Sequence, residues 1–404
     1  MKMNLKTTTA CVLFAIAFYF TGSGQTPKVF SIDSKNLEAS KQKIKSGDPQ
    51  TLAVYQRLVR DADKALTEGP FSVMNKKQVP TSGDKHDYMS LAPYFWPNPN
   101  TPDGLPYIRK DGVRTPETKA IKDKDDLIKM ENAVETLSFA YYFSGDEKYA
   151  ERSTFLIRTW FLLPETKMNP NVNFGQAVKG ASLGRKEGVL ETRGFAKVID
   201  AIGMLQGSKA WTAADQKSMQ TWITDFLVWM QTSPIGKAEM NADNNHGTWY
   251  DAQRLSYALF LGKKDLANEI CKNAINRLDK QMDNNGNFPK ELARTKSLGY
   301  TLFVTEAFFE IAKLAEKTDV DLWNVVTPSG KSIKKGIETL APYFSKEKEW
   351  TGQQIEPANF NGSIPLIHIA ALKYNHPEYL KAIAALKSKE AETGWRQLVL
   401  GFND

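Results

Sequence analysis

The chain is poor in the residues that would give it an easy identity. Only two cysteines and four histidines occur among 404 residues. There is no Cys pair and no His-Glu-x-x-His, and His86, His368 and His376 have no partner at metal-ligand spacing, so no metal is expected. Asp283-Asn284-Asn285-Gly286 lacks the rest of a calcium loop. Neither a Gly-x-Ser-x-Gly elbow nor a phosphate-binding glycine loop appears, and no other cofactor is expected. Arginine and lysine are not clustered, which argues against nucleic acid as a partner.

The longest apolar run, Ala10 to Phe20, is too short for a comfortable membrane span. It follows Lys2 and Lys6 and precedes Thr21-Gly22-Ser23-Gly24-Gln25, the layout of a secretory signal. Residues 1–25 are therefore expected to be removed. Residues 26–404 would form one secreted or periplasmic domain with no stable membrane association. Removal takes away two lysines and no acid, lowering the formal charge from +7 to +5, and leaves Cys271 as the only cysteine. Its setting, Ala-Asn-Glu-Ile-Cys-Lys-Asn-Ala-Ile, reads as a helix with a small buried thiol. Hydrophobic content of 41% and charged content of 25% are those of a globular protein with ample core material.

Most of the rest has helical periodicity. In Asp126–Phe143, Leu127, Met130, Val134, Leu137 and Tyr141 recur every three or four positions. Similar patterns occupy about 146–163, 189–206, 213–231, 251–261, 264–283, 299–316, 331–344, 363–374 and 377–387. Asn285-Gly286 is the single hairpin-turn candidate, and it follows a helix. Phe143-Ser144-Gly145-Asp146 aligns with Phe260-Leu261-Gly262-Lys263, and Tyr374-Asn375-His376-Pro377 looks like a third copy. Each marks one helix stopping at Gly or Asn and another starting at once. Stacked antiparallel hairpins of this kind, about ten to fourteen helices in all, are expected to curl into an all-α, α/α toroid, with a straight solenoid as the alternative.

Two loop-rich regions interrupt the helices. Residues 70–118 include Lys85-His86-Asp87-Tyr88, Tyr94-Phe95-Trp96-Pro97, Tyr107, Arg109 and Arg114. Residues 164–188 include Asn169-Pro170-Asn171-Val172-Asn173-Phe174-Gly175-Gln176 and Arg185. Their aromatic and amide content argues for an ordered cap over a groove.

Chemistry concentrates in two places. Asn244-Asn245-His246-Gly247-Thr248-Trp249-Tyr250-Asp251 sets an imidazole among amides at a helix start. Such groups suit a site that neutralises a carboxylate and moves a proton beside it, although capping by Asp243 or Asn244 over a core histidine is the plain alternative. About fifty residues on, Glu291-Leu292-Ala293-Arg294 and Tyr300 supply a guanidinium and a phenol. Arginine pairs with a carboxylate through two parallel hydrogen bonds, and its charge is expected to lower the pKa of a nearby tyrosine. The alternative is an exposed arginine and a core tyrosine.

Lys85–Pro97, Asn169–Gln176, Asn244–Tyr250 and Glu291–Tyr300 together resemble the alginate lyase superfamily, the all-helical polysaccharide lyases of families five and thirty-eight. The Gly-Thr-Trp after His246 is closer to family thirty-eight. The resemblance implies metal-free β-elimination on a 4-linked uronate polymer, with polymannuronate the first expectation and glucuronan the second. It assigns carboxylate neutralisation to Asn245, Arg294 and a protonated His246, and proton transfer to Tyr300. In mannuronate and glucuronate the C5 proton and O4 share a face, and one tyrosine can serve both. In guluronate they lie on opposite faces, which suits His246 as base and Tyr300 as acid. Tyr88, Tyr94 and Trp96 are expected to stack on sugars. Asn171, Asn173 and Gln176 would read hydroxyls and Arg185 would hold a neighbouring carboxylate, with Trp249 and Tyr250 completing the substrate-facing set. Two other readings remain. A toroid hydrolase would depend on Asp87, Asp243 or Asp251, and a non-catalytic binder of acidic glycans would need none of this proton chemistry.

Overall fold

A computed structural model describes residues 26–360, 363–386 and 394–400; the expected signal, residues 1–25, lies outside them. The chain opens with α1 (Ser34–Lys45) and α2 (Pro49–Ala65), each capped by an aspartate at its start. There follow α3 (Asp123–Ser144), α4 (Glu147–Ile157), α5 (Phe195–Leu205), α6 (Ala213–Thr232) and α7 (Pro234–Met240). Next come α8 (Asn245–Phe260), α9 (Lys264–Gln281), the single turn α10 (Pro289–Leu292) and α11 (Ser297–Ala315). The series ends with α12 (Ile333–Phe344), α13 (Ile364–Tyr374), α14 (Pro377–Leu386) and α15 (Gln397–Leu400).

The hairpin stops behave as the sequence implies. Gly145 ends α3 and Asn375 ends α13 in left-handed backbone, where a residue without a Cβ or with a short amide is tolerated best. Helices α3, α5, α8 and α11 pack in succession as an inner ring, while α4, α9 and α12 back α3, α8 and α11 from outside. Helix α13 packs on α14 and α15, α15 on α1 and α2, and α2 on α3, which closes the circle. The fold is an α/α toroid. The helices at about 331–344, 363–374 and 377–387 match within two residues, whereas α1, α2 and α7 have no counterpart in the sequence reading.

The two loop regions are ordered and contain short strands that alternation could not reveal. Strands β1 (Met89–Leu91) and β4 (Phe174–Ala177) pair in parallel, and β2 (Phe95–Trp96) pairs antiparallel with β3 (Ile108–Arg109). Buried polar bonds anchor both regions to the helices. Lys76 and Asp123 form an ion pair of 2.9 Å without solvent exposure, and Asp123 also accepts the Met89 amide at 2.9 Å. From α6, Trp222 and Trp229 donate indole hydrogen bonds to the Met168 carbonyl and to Asn173, at 2.8 and 2.9 Å. Cys271 is buried on α9, as expected.

The inner ring encloses a cavity of about 670 Å³. Glu131 of α3 faces it, buried, and its Oε1 has no hydrogen-bond partner among the described residues. Burial pushes its carboxyl up to about 8, against the opposing charges of Lys197 and Arg193. The folded state therefore binds this proton more tightly than the unfolded chain, whose carboxyl titrates near 4.5. Its contribution to stability is complete below that pH and is lost progressively as pH rises to about 8. Glu131→Gln is expected to flatten the fall of Tm across this window. Parallel curves for the two proteins would contradict the assignment.

Candidate active site

The N-terminal end of α11 meets the loop region carrying β2 and β3, and the N-terminal end of α8 is joined to the same neighbourhood through Glu291. Asn244 caps α8 by accepting the His246 amide at 3.3 Å. Gly247 is required by packing, because a Cβ at this position would strike the Ala242 carbonyl and the Arg277 guanidinium. His246 is 15% exposed at its side chain, and its Nδ1 lies 2.6 Å from Oε1 of Glu239 on α7. Glu239 is buried, and burial raises its carboxyl even against the His246 contact. As a carboxylate it accepts the Nδ1–H, which reserves Nε2 of His246 for a ligand. Glu239 was invisible in the sequence because nothing in the short helix Pro234–Met240 marks it as a partner.

Asn245 is 0% exposed and occupies a different place from the one expected. Its backbone N–H donates to Glu291 at 2.6 Å, and its Nδ2 donates to both oxygens of Glu291 at 3.0 and 2.8 Å. Its amide donors are thus spent inside the protein rather than open to a uronate. Burial raises the Glu291 carboxyl, while the Asn245 bonds and the charges of Arg294 and His246 oppose that rise. Glu291 therefore links the histidine segment to the arginine segment.

Arg294 and Tyr300 do meet. Arg294 Nη2 donates to the Tyr300 phenol oxygen at 2.7 Å, and its guanidinium carbon lies 3.6 Å from the ring centroid. Tyr300 donates in turn to the Tyr94 hydroxyl at 3.1 Å. The expected bidentate grip of Arg294 is present, but on a protein carboxylate: Nε and Nη2 donate to Asp111 at 3.1 and 2.6 Å. This arrangement corrects the expectation of an acidified phenol. Burial raises the Tyr300 pKa, Tyr94 adds to the rise, and Asp111 offsets the lowering effect of Arg294. At rest Tyr300 holds its proton.

The expected sugar contacts divide. Tyr94 is half-buried beside the phenol, and Trp96 is half-buried under Lys110, its indole bonded to the Val113 carbonyl. Arg185 lies 4.8 Å from the Phe95 ring and pairs with Glu187 at 2.7 Å. Asn173 is exposed and Asn171 half-buried, but the latter donates to Asp87 at 3.2 Å. Three expectations are overturned by burial. Tyr88 is enclosed and donates to Glu191 at 2.9 Å, Tyr250 is enclosed and donates to the Met230 carbonyl at 2.9 Å, and Gln176 is buried with its amide on the Glu187 carbonyl at 3.1 Å. None of the three offers a face to a sugar. Trp249 lies against Phe303 and lines the inner cavity, one turn below His246.

The acids of the hydrolase reading are scattered into structural roles. Asp87 is buried among Ser82, Asn169 and Asn171. Asp251 is buried against Arg277 at 2.6 Å, and Asp243 pairs with Lys290. No group of three or more His, Cys, Asp or Glu side chains placed to hold a metal ion occurs among the described residues. No described helix is long and apolar enough to cross a membrane.

Comparison with known proteins gives concordant results. The family model for alginate lyases matches residues 72–350. Among solved structures, an alginate lyase from Bacteroides ovatus is 38% identical, with 93% of this chain and 100% of that chain covered and a TM-score of 0.88. Alginate lyase A1-III from Sphingomonas species A1 matches at 14% identity over 93% of this chain and 96% of that chain, with a TM-score of 0.55. A histidine-to-alanine variant of alginate lyase A1-III complexed with a tetrasaccharide matches at 14% identity over 94% and 98%, with a TM-score of 0.59. At that identity the last two speak for the fold alone. No curated protein sequence matches.

Proposed function

Because the chain belongs to the alginate lyase family and is a polysaccharide lyase, we propose that it cleaves alginate by metal-free β-elimination at the site shared by His246, Arg294 and Tyr300. What supports this reading is that the Glu239-bound imidazole of His246 and the guanidinium that binds the Tyr300 phenol both act electrostatically on the same buried carboxyl, Glu291. The C5 proton of a uronate is weakly acidic until its carboxylate is neutralised, since the carbanion must spread onto that group as an enediolate. On mannuronate and glucuronate, His246 as an imidazolium supplies that charge together with the Nη1 group of Arg294, which neither Asp111 nor Tyr300 uses; on guluronate the Arg294 group supplies it alone.

Polymannuronate is the first proposed substrate and glucuronan the second. Tyr300, once deprotonated and stabilised by Arg294, takes the C5 proton and returns a proton to the departing O4. On guluronate, Nε2 of His246 takes the C5 proton and the Tyr300 phenol protonates O4 from the opposite face. Atoms balance in both routes. The C5–H and C4–O bonds break, a C4–C5 double bond forms, and no water is consumed. Tyr94, Trp96, Asn173 and Arg185 are proposed to line the chain of sugars. The first 25 residues are proposed as a secretory signal, residues 26–404 as a single domain, and the place of action as periplasmic or extracellular.

The test is absorbance near about 235 nm, where an unsaturated uronate absorbs, with polymannuronate, polyguluronate and glucuronan in the presence of a chelator. A rise on polymannuronate is expected. Because burial holds the phenol protonated, the mannuronate rate is also expected to climb with pH through the neutral range more steeply than the guluronate rate. Saturated reducing ends without absorbance would favour a hydrolase, and binding without turnover a glycan-binding protein.

A further inference from the structure

We infer that Asp111 is a positioning residue for the elimination, holding Arg294 in place against the Tyr300 phenol; the inference rests on the reading of Tyr300 as the proton-transfer residue. Asp111 sits just after β3, where the Lys110 amide donates to the Tyr94 carbonyl at 2.7 Å. Its Oδ1 accepts Arg294 Nη2 and Arg109 Nη2, each at 2.6 Å. Its Oδ2 accepts Arg294 Nε at 3.1 Å, the Thr295 hydroxyl at 3.0 Å and the Thr295 amide at 3.3 Å. Gly112 lets the strand end come this close, with positive φ of 74° and no space for a Cβ between Thr295 and Ile355.

The arrangement is a chain of fixed contacts from Asp111 through Arg294 and Tyr300 to Tyr94. An arginine side chain carries much rotamer freedom, and a guanidinium stacked over a phenol at 3.6 Å needs an anchor to remain there. Asp111 supplies it with two hydrogen bonds in one plane. It also keeps the Nε edge of Arg294 from turning towards a substrate carboxylate, so the arginine serves the phenol first. The groups facing the phenol are Tyr94, Arg294 and Asp111, with Glu291 behind the guanidinium. Hydrogen bonds and the charge of Arg294, with Thr295, hold Asp111 well below the usual carboxylate range despite its partial burial, so it is ionised throughout the working pH range.

Asp111→Asn and Asp111→Glu test the inference in the full chain on polymannuronate. For Asp111→Asn, kcat is expected to fall about 10²-fold, the cost of a misplaced reacting group, while KM changes less than about threefold. Loss of the anchor releases Arg294 from the phenol, and the lowering effect of Arg294 exceeds the raising effect of Asp111, so the acidic limb of the kcat profile is expected to move to higher pH. Asp111→Glu keeps the charge but displaces it, and is expected to lose kcat without that movement. It decides the matter if the asparagine variant does not fold. A lower KM with equal or higher kcat would show that Asp111 merely competes with substrate for Arg294, and would overturn the inference. Unchanged kcat, or lost activity with an unmoved pH profile in Asp111→Asn, would overturn it as well. A wild type that yields no unsaturated product fails at an earlier point, removing the lyase reading itself and this inference with it.

Discussion

Tyr300→Phe is expected to lower kcat by about 10³-fold or more on every uronate polymer the protein cleaves, with KM nearly unchanged. The substitution removes one oxygen from a ring that keeps its place in the first turn of α11. That oxygen accepts from Arg294 at 2.7 Å and donates to Tyr94 at 3.1 Å. In both proposed routes the same oxygen delivers a proton to O4, and in the mannuronate route it also takes the C5 proton. General acid and base catalysis each contribute about 10²- to 10⁴-fold, so loss of a group that serves in both falls at the upper end. An effect confined to kcat marks an interaction made in the transition state rather than in ground-state binding. Steady-state initial rates decide it. Retention of more than about a tenth of wild-type kcat would move proton delivery to another group.

The second large effect is expected at Glu239. Glu239→Gln preserves shape in a buried position, but offers His246 Nδ1 an amide in place of a carboxylate. If the amide N–H₂ faces the ring, Nδ1 becomes the acceptor and the proton moves to Nε2, the nitrogen required as base. Such tautomer errors in a carboxylate–histidine pair cost up to about 10⁴-fold in kcat in a well-studied protease triad. A fall of about 10²- to 10³-fold is expected on polyguluronate, with a smaller one on polymannuronate, where His246 neutralises charge rather than abstracting the proton. The fold should tolerate the change, because burial disfavours the ionised Glu239 carboxyl that the substitution removes. Equal losses on the two polymers would assign His246 one role in both.

The helical frame was legible because amphipathic periodicity survives in helices that bury one face against a neighbour. Ten of the longer elements were found that way. Periodicity alone begins α8 at about 251, whereas the capping pattern of Asn244-Asn245-His246 marks the helix start where the structure has it. Asn-Asn-His-Gly has no apolar periodicity; the Asn244 cap, the Glu291 acceptor and the tight packing at Gly247 support it as helix. Strands of two to four residues are too short to show alternation. His246, Arg294 and Tyr300 could be singled out by their residue types and given roles by the family resemblance. What holds them could not: Glu291 and Asp111 lie 46 and 183 positions from Asn245 and Arg294, distances over which a single sequence carries no pairing signal. The same blindness placed Tyr88 and Tyr250 on the substrate side, since a tyrosine in an aromatic-rich stretch looks the same whether its hydroxyl meets a sugar or a buried glutamate.

The most direct test of the central claim is the mass of the oligouronates released by the purified protein from polymannuronate in the presence of a chelator. Elimination predicts that each new non-reducing end is lighter by one water than a hydrolytic product, in wild type, with product formation reduced to near zero in Tyr300→Phe. Products with the full mass of hydrolysis, or an undiminished yield from Tyr300→Phe, would contradict it.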